Sequence, residues 1–306
     1  MGMAPFTAEA FRHAMGDACR IAGLSAEGAE LIHITVNAVF RLNSAPVVAR
    51  VAGPQLGVQD STLVVDLARW LENQDLPITR LAALTVDQPV ITASGVPVTF
   101  WRYLPPRPGP QPTPAELAGP LRRLHALSPP EEFPLPAWDP LRVARDRLRR
   151  APDDIPSAGL AFLHDLADRV AAELPTLPFA LPRTVIHGDA HIGNMLRTPG
   201  GHTVLCDLDF MSLGPPEWDL VPELVGCLRY GRPWADYQRL VDAYGFDPRG
   251  WGGLPTLIRV HALNVLTVVL PLLRTHPALC VEWQRRVQAM SDGIETGPWV
   301  SYRRTI

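Results

Sequence analysis

Lysine is absent from this chain: all 28 of its basic residues are arginines. Cysteine is scarce. The four residues Cys19, Cys206, Cys227 and Cys280 form no CxxC pair, so neither a zinc site nor a disulfide framework is signalled, and a reducing cytoplasm suits them. A basic surplus is also missing. The formal net charge of -3 and the pI near 6.3 argue against a nucleic-acid partner. The amino terminus lacks an apolar core of signal-peptide length. The most apolar run, Leu257 to Leu273, is broken by Arg259, His261, Asn264 and Pro271, so it reads as a buried helix rather than a membrane span. No internal repeat is visible, and the sequence names no partner protein.

What is present is an ordinary globular composition. In 306 residues, 47% are hydrophobic and 19% charged, enough to bury a sizeable core in one large domain or two lobes. Helical spacing of Phe11, Ala14, Met15, Ala18 and Ile21 predicts a helix over 7–22. Strand-like runs at 35–42 and 47–52 flank Asn43-Ser44-Ala45-Pro46, a hairpin signal. A helix over 61–72 and strands over 88–92 and 96–103 complete a small β-rich part, expected to span 1–104. Prolines crowd residues 105–114, which reads as a stiff connector. From 115 to 306 the pattern is mostly helical, with helices expected over 115–127, 140–150 and 157–174. His125, His164 and His276 fall within helical patterns and read as structural or exposed.

One interruption of the helical pattern carries the chemistry. It begins His187-Gly188-Asp189-Ala190-His191-Ile192-Gly193-Asn194, and Cys206-Asp207-Leu208-Asp209-Phe210 follows. Between them, Thr198-Pro199-Gly200-Gly201 is turn chemistry, so 195–197 and 203–206 should pair as a hairpin. Asn194 and Asp207 then meet at its open end. Strand alternation would turn Asp207 and Asp209 to one side. Such a cluster of hard oxygen donors suits magnesium. The spacing Asp189-x-x-x-x-Asn194 matches the catalytic-loop pattern of kinases, in which the aspartate receives the acceptor's proton and the asparagine holds metal.

Through these two segments the chain resembles the aminoglycoside phosphotransferase and choline kinase family. Weaker similarity lies in Gly214-Pro215-Pro216-Glu217-Trp218-Asp219-Leu220, in 121–127 and in the hairpin ending at Arg50. The resemblance implies an α+β, protein-kinase-like bilobal fold, with a small β-rich N-lobe and a larger, mainly helical C-lobe. ATP or GTP would lie in the cleft. It implies Asp189 as the catalytic aspartate, His191 beside the transferred phosphate, and Asn194 and Asp207 as magnesium ligands. Arg50 would hold phosphates where the family has lysine, with Val48, Arg102, Tyr103 and Leu196 as further nucleotide contacts. Arginine grips phosphate bidentately, which lysine does not. The carboxylate that pairs with this cation is expected on the following helix, where the register offers Val64, with Asp60 or Asp66 as fallback. Asp219 reads as a structural partner of the catalytic loop.

Other readings stand beside this one. His187-x-Asp189-x-His191 fits a hydrolase metal triplet, and Asp189 with Asn194 could merely cap a turn. Within the resembling family the acceptor is a hydroxylated small molecule, an antibiotic or a housekeeping metabolite of choline, amino-alcohol or sugar type. An inactive nucleotide-binding protein is the remaining alternative. Between Gly250 and Ala289 the only acid is Glu282, amid many aliphatic residues. An acceptor with little positive charge and a substantial apolar part is therefore expected, since an unpaired buried ammonium is costly.

Overall fold

Thr7 caps the first helix in the computed structural model, which describes residues 7–34, 36–53, 57–106, 109–294 and 297–302. Its hydroxyl accepts a hydrogen bond from the Ala10 amide at 3.2 Å, satisfying one of the amides a helix start leaves open. Helix α1 (Ala8–Ile21) buries Phe11, Ala14, Met15, Ala18 and Cys19 along one stripe. Strands β1 (Glu30–Ile34), β2 (Ala38–Arg41) and β3 (Val47–Val51) follow, then α2 (Val58–Asn73), β4 (Val90–Ile91) and β5 (Pro97–Arg102). These strands form one antiparallel sheet in the order β1-β2-β3-β5-β4. Ala38, Phe40, Val47, Ala49 and Val51 face its core, so alternation puts Val48 and Arg50 on the opposite, half-buried face.

Several boundaries differ from the sequence expectations. Strand β1 was not expected; all five of its residues are exposed, so no alternation marks it. Thr35, at the start of the expected 35–42 strand, lies outside the described residues, as do Arg107 and Pro108 of the connector. Helix α2 begins at Val58 rather than 61 because the Asp60 carboxylate accepts from the Gly57 amide at 2.8 Å and caps that end.

Contacts group the chain into two units. The first comprises Met1–Pro112, Pro130–Phe133 and Gly193–Phe210; the second comprises Thr113–Pro129, Pro134–Ile192 and Met211–Ile306. In the second, α3 (Pro114–His125) takes the last connector proline as its first residue, behind a Thr113–Glu116 capping box. Helices α4 (Arg142–Arg149) and α5 (Ser157–Glu173) and strand β6 (Thr184–Ile186) come next. The chain then enters the first unit as the hairpin β7 (Met195–Arg197) and β8 (Thr203–Leu205). Its Leu205 pairs with Pro77, Ile78 and Thr79, and the turn after it packs on α2, which is why 193–210 groups there and not with 115–306.

Back in the second unit, β9 (Ser212–Gly214) pairs with β6, and α6 (Glu217–Tyr230), α7 (Trp234–Tyr244), α8 (Leu254–Val268) and α9 (Pro277–Ser291) complete the chain. Helix α8 is central, touching α4, α5, α6 and α9, with Leu257, Val260, Leu263 and Leu266 fully buried. Leu254–Leu272 is long and apolar enough to cross a membrane by composition, yet 56% of its most apolar 18-residue window is buried inside the protein, as in a core helix. Gly159 lets α5 approach α9 closely, since a Cβ there would lie 2.6 Å from the Trp283 ring.

Candidate active site

In the first unit the site residues collect at the open end of the β7–β8 hairpin. The Gly201 amide donates to the Thr198 carbonyl at 2.9 Å and closes the turn, as the Thr-Pro-Gly-Gly sequence predicts. At the other end the Cys206 amide donates to the Asn194 carbonyl at 2.9 Å, which brings Asn194 beside Asp207. The strand stops there. Asp207 adopts a left-handed conformation (φ 64°) and Leu208–Phe210 form a 3-10 turn, so the expected strand alternation does not apply.

Asp207 and Asp209 nonetheless share one partner. Arg50 Nη2 donates to Asp207 Oδ1 at 3.3 Å and to the Asp209 carboxylate. Asn37 Nδ2 donates to Asp209 Oδ2 at 3.2 Å, while Asn37 Oδ1 accepts from the Gly53 amide. Burial works against the Arg50 charge, but Asp209 and Asp207 outweigh it and push its pKa up. This corrects the expected helix partner: Val64 is buried, Asp60 caps its own helix, and Asp66 makes no bond to Arg50. A helix carboxylate is replaced by two from the turn that follows β8. Asp207, Asp209 and Asn194 together offer the hard oxygen donors that suit magnesium.

Of the other nucleotide candidates, Val48 lies two residues from Arg50 on the same face, and Leu196 is exposed on β7. The Arg102 amide donates to Arg80 and the Tyr103 amide to Pro46, so both amides are engaged within the protein. Tyr103 presents its ring, with the Arg41 guanidinium 4.8 Å from its centroid, at a cavity of about 320 Å³.

In the second unit, β6 runs into His187-Gly188-Asp189. Gly188 has φ 84°, which a side chain would strain. Three carboxylates of α6 fix the backbone of 180–192. Asp219 accepts from the His187 amide at 2.7 Å and the Gly188 amide at 2.8 Å. It also meets His125 Nε2 at 3.0 Å, whose Nδ1 bonds the Tyr244 hydroxyl. Glu217 accepts from Ala180 and Leu181, and Glu223 from Ile192 at 2.8 Å and from Arg232. Trp218 Nε1 donates to the Gly188 carbonyl at 2.8 Å. All three acids are buried, Glu223 to 1% exposure. His125 takes the structural role its helical pattern indicated.

Asp189 Oδ2 lies 3.6 Å from His191 Nε2. Burial alone would raise the Asp189 carboxyl, but the hydrogen bond and charge of His191, with His187 and His261, hold it down at about 2. His191 is raised: burial opposes its charge, and Asp189 and Glu223 favour it more strongly. His261, on α8, is pushed down to about 4 by burial. In the sequence it carries no role, because it appears only as a break in an apolar run. The hydrolase-triplet alternative does not survive. His187 is fully buried, with its Nδ1 turned to the Asp189 amide, and no three His, Cys, Asp or Glu converge on a metal-binding point among the described residues.

Comparison with known proteins completes the description. The family model described as the phosphotransferase enzyme family matches residues 35–254. No curated protein sequence matches the chain. Among solved structures, amicoumacin kinase in complex with AMP-PNP and Ca2+ superposes with a TM-score of 0.68 at 14% identity, covering 91% of this chain and 92% of that one. Spectinomycin phosphotransferase with ADP and spectinomycin gives 0.61 at 15% identity, covering 95% and 94%. A choline/ethanolamine kinase family protein from Mesorhizobium loti gives 0.56 at 20% identity, covering 94% and 92%. At such identities the likeness is one of fold, the protein-kinase-like α+β fold with a small sheet-based part and a larger helical part.

Proposed function

The chain belongs to the phosphotransferase enzyme family and is a small-molecule kinase; we propose that it moves the γ-phosphoryl group of ATP, with magnesium, onto a hydroxyl of an antibiotic. The observation that carries this reading is Asp189: a carboxylate kept ionised beside His191, on a backbone clamped by Asp219. Two structural neighbours carry antibiotics in their names, amicoumacin and spectinomycin, and bind adenine nucleotides. Free thiols at all four cysteines suit action in the cytoplasm.

In this reading the acceptor oxygen forms a bond to the γ-phosphorus while the bond to the β–γ bridging oxygen breaks, and ADP leaves. Asp189 orients the acceptor hydroxyl by accepting its hydrogen bond and takes the proton late, since a carboxyl with a pKa of about 2 is a weak resting base. The proton then passes to solvent. His191, favoured in its charged form, faces the charge that builds on the transferred group. Asn194 and Asp207 would hold the magnesium ion, which neutralises phosphate charge. Arg50 uses only Nη2 toward Asp207 and Asp209. Its Nε and Nη1 are left to face phosphate, so one guanidinium serves both partners where an ammonium would serve one.

The test is ADP release against a panel of hydroxylated antibiotics, with mass spectrometry of the acceptor. Asp189→Ala should lower kcat by roughly 10²–10⁴-fold and leave ATP affinity largely intact. Turnover within a few-fold of the unmodified enzyme removes Asp189 from the mechanism. Absence of any transfer by the unmodified protein favours the inactive nucleotide-binding reading.

A further inference from the structure

The unit that holds Asp189 also holds a cavity of about 470 Å³, within the roughly 300–1,000 Å³ typical of small-molecule sites. Leu224 and Leu228 of α6, Trp234 of α7, Trp251 ahead of α8 and Ile258 in its first turns form much of its wall. Among the described residues, the only charged one in the lining is a cation, Arg249, already bonded to Asp247 at 2.9 Å and stacked on Tyr237. No carboxylate of the described residues lines it. Trp251 is held rigidly, its Nε1 donating to the Pro178 carbonyl at 2.8 Å and its ring 5.4 Å from Phe179. Trp234 is 47% exposed, large for an indole in a soluble fold.

Helix α8 carries both a wall residue of the cavity, Ile258, and His261. Ile258 precedes His261 by one turn of α8, about 4.5 Å along the axis. His261 lies 6.4 Å from the Trp218 ring, and its charge would act directly on Asp189. Its Nδ1 is buried and has no hydrogen-bond partner among the described residues. Buried polar atoms are rarely left unbonded in native proteins, so this nitrogen calls for a partner. A neutral imidazole beside an ionised aspartate suits a neutral hydroxyl or amide of a ligand.

We propose that this cavity is the acceptor subsite, that it takes an uncharged aromatic or aliphatic ring system, and that His261 hydrogen-bonds a polar group of the acceptor near the hydroxyl held by Asp189. The proposal rests on the kinase reading above and narrows its substrate class. An apolar ring entering the cavity leaves water for indole and aliphatic walls. A polyammonium acceptor would lose hydration there with no carboxylate to meet it, and with a guanidinium beside it.

Calorimetric titration without nucleotide tests the subsite. The probes are chloramphenicol and puromycin, which carry aromatic rings and at most one charge, against kanamycin, a polycation. The unmodified protein should bind at least one aromatic probe tenfold or more tighter than kanamycin. Leu228→Trp, which fills the cavity, should weaken that probe at least tenfold. Leu228→Glu, which adds a carboxylate to the wall, should shift preference toward kanamycin. Tighter binding of kanamycin by the unmodified protein overturns the proposal. So does the absence of aromatic-probe binding up to about 1 mM, or an unchanged affinity in Leu228→Trp. Should that variant fail to fold, a Leu228→Glu protein with no shift toward kanamycin overturns it alone. ATP hydrolysis by the unmodified protein without acceptor reports on the kinase reading separately, so the two failures are distinguishable.

Discussion

Replacing Asp219 with alanine strips the Asp189 loop of its main anchor, and the size of the loss can be worked out. The Asp219 carboxylate is fully buried and accepts from two backbone amides, at 2.7 and 2.8 Å, while facing His125 at 3.0 Å. Alanine leaves both amides and the imidazole without an acceptor in a dry site. Each orphaned donor costs about 1–3 kcal/mol, and breaking a buried charged network about 3–5 kcal/mol. Taking about 4 kcal/mol, and about 2–4 °C per kcal/mol for a domain of this size, Tm should fall by roughly 10 °C. A thermal melt followed by circular dichroism reads this directly. Asp219→Asn separates hydrogen bonding from mere space filling. Whichever way its amide is turned, one NH2 faces a backbone N–H, so the variant should keep half of the loss, about 2 kcal/mol. A melt unchanged within 2–3 °C in the alanine variant, or full recovery in the asparagine variant, refutes the reasoning.

Asp207→Ala should abolish the magnesium-dependent tightening of ATP binding; a nucleotide titration with and without magnesium that still shows it would remove Asp207 as a ligand. Arg50→Ala should raise the KM for ATP roughly tenfold to a hundredfold, with Arg50→Lys recovering part of it, because one ammonium cannot span both carboxylates and a phosphate. Unchanged kinetics in both variants would show that Arg50 holds only its own carboxylates. The Asp189–His191 pair has a defined pH window. Asp189 is depressed below its ordinary 3.8, so its contribution to stability is present above that value and lost as pH falls through about 2. His191 is raised above 6.5, so its contribution is complete below 6.5 and lost as pH rises through its folded value. The pair is therefore whole between 3.8 and 6.5, and His191→Ala should move the Asp189 carboxyl upward in an NMR titration. An unmoved titration would mean that His191 is not what holds it down.

Much of the architecture was legible because its signals are local. The stripe of α1 and the Thr-Pro-Gly-Gly turn of the β7–β8 hairpin depend on residues a few positions apart, and both appear where the pattern put them. Strand β1 left no trace because neither of its faces is buried. Strand β9 is three residues long and pairs with β6 from across the motif region. The motif residues themselves were readable from their types and spacing. Their partners were not: Arg50 meets Asp207 from 157 positions away, and Glu223 meets Ile192 from 31. The helix carboxylate expected for Arg50 failed because a left-handed Asp207 and a 3-10 turn, invisible to strand alternation, bring two other acids to it. His261 had no signal at all, since a lone histidine in an apolar helix is indistinguishable from a filler until its neighbours are known.

The excursion of 193–210 into the first unit bears on how this protein could be cut, fused or recombined. The proline-rich stretch looks like the natural place to separate two modules. A fragment ending there would carry the five-stranded sheet but lack β8, whose Leu205 supplies both hydrogen bonds to Pro77 and Thr79, and lack the acids that neutralise Arg50. Its counterpart would begin with helices and carry an orphaned hairpin in the middle of its catalytic sequence. Grafting the sheet-bearing half onto the helical half of a relative would likewise import a foreign 193–210. Exchange between family members should thus succeed only when that eighteen-residue segment travels with the sheet, which makes the two halves of the enzyme inherit as one.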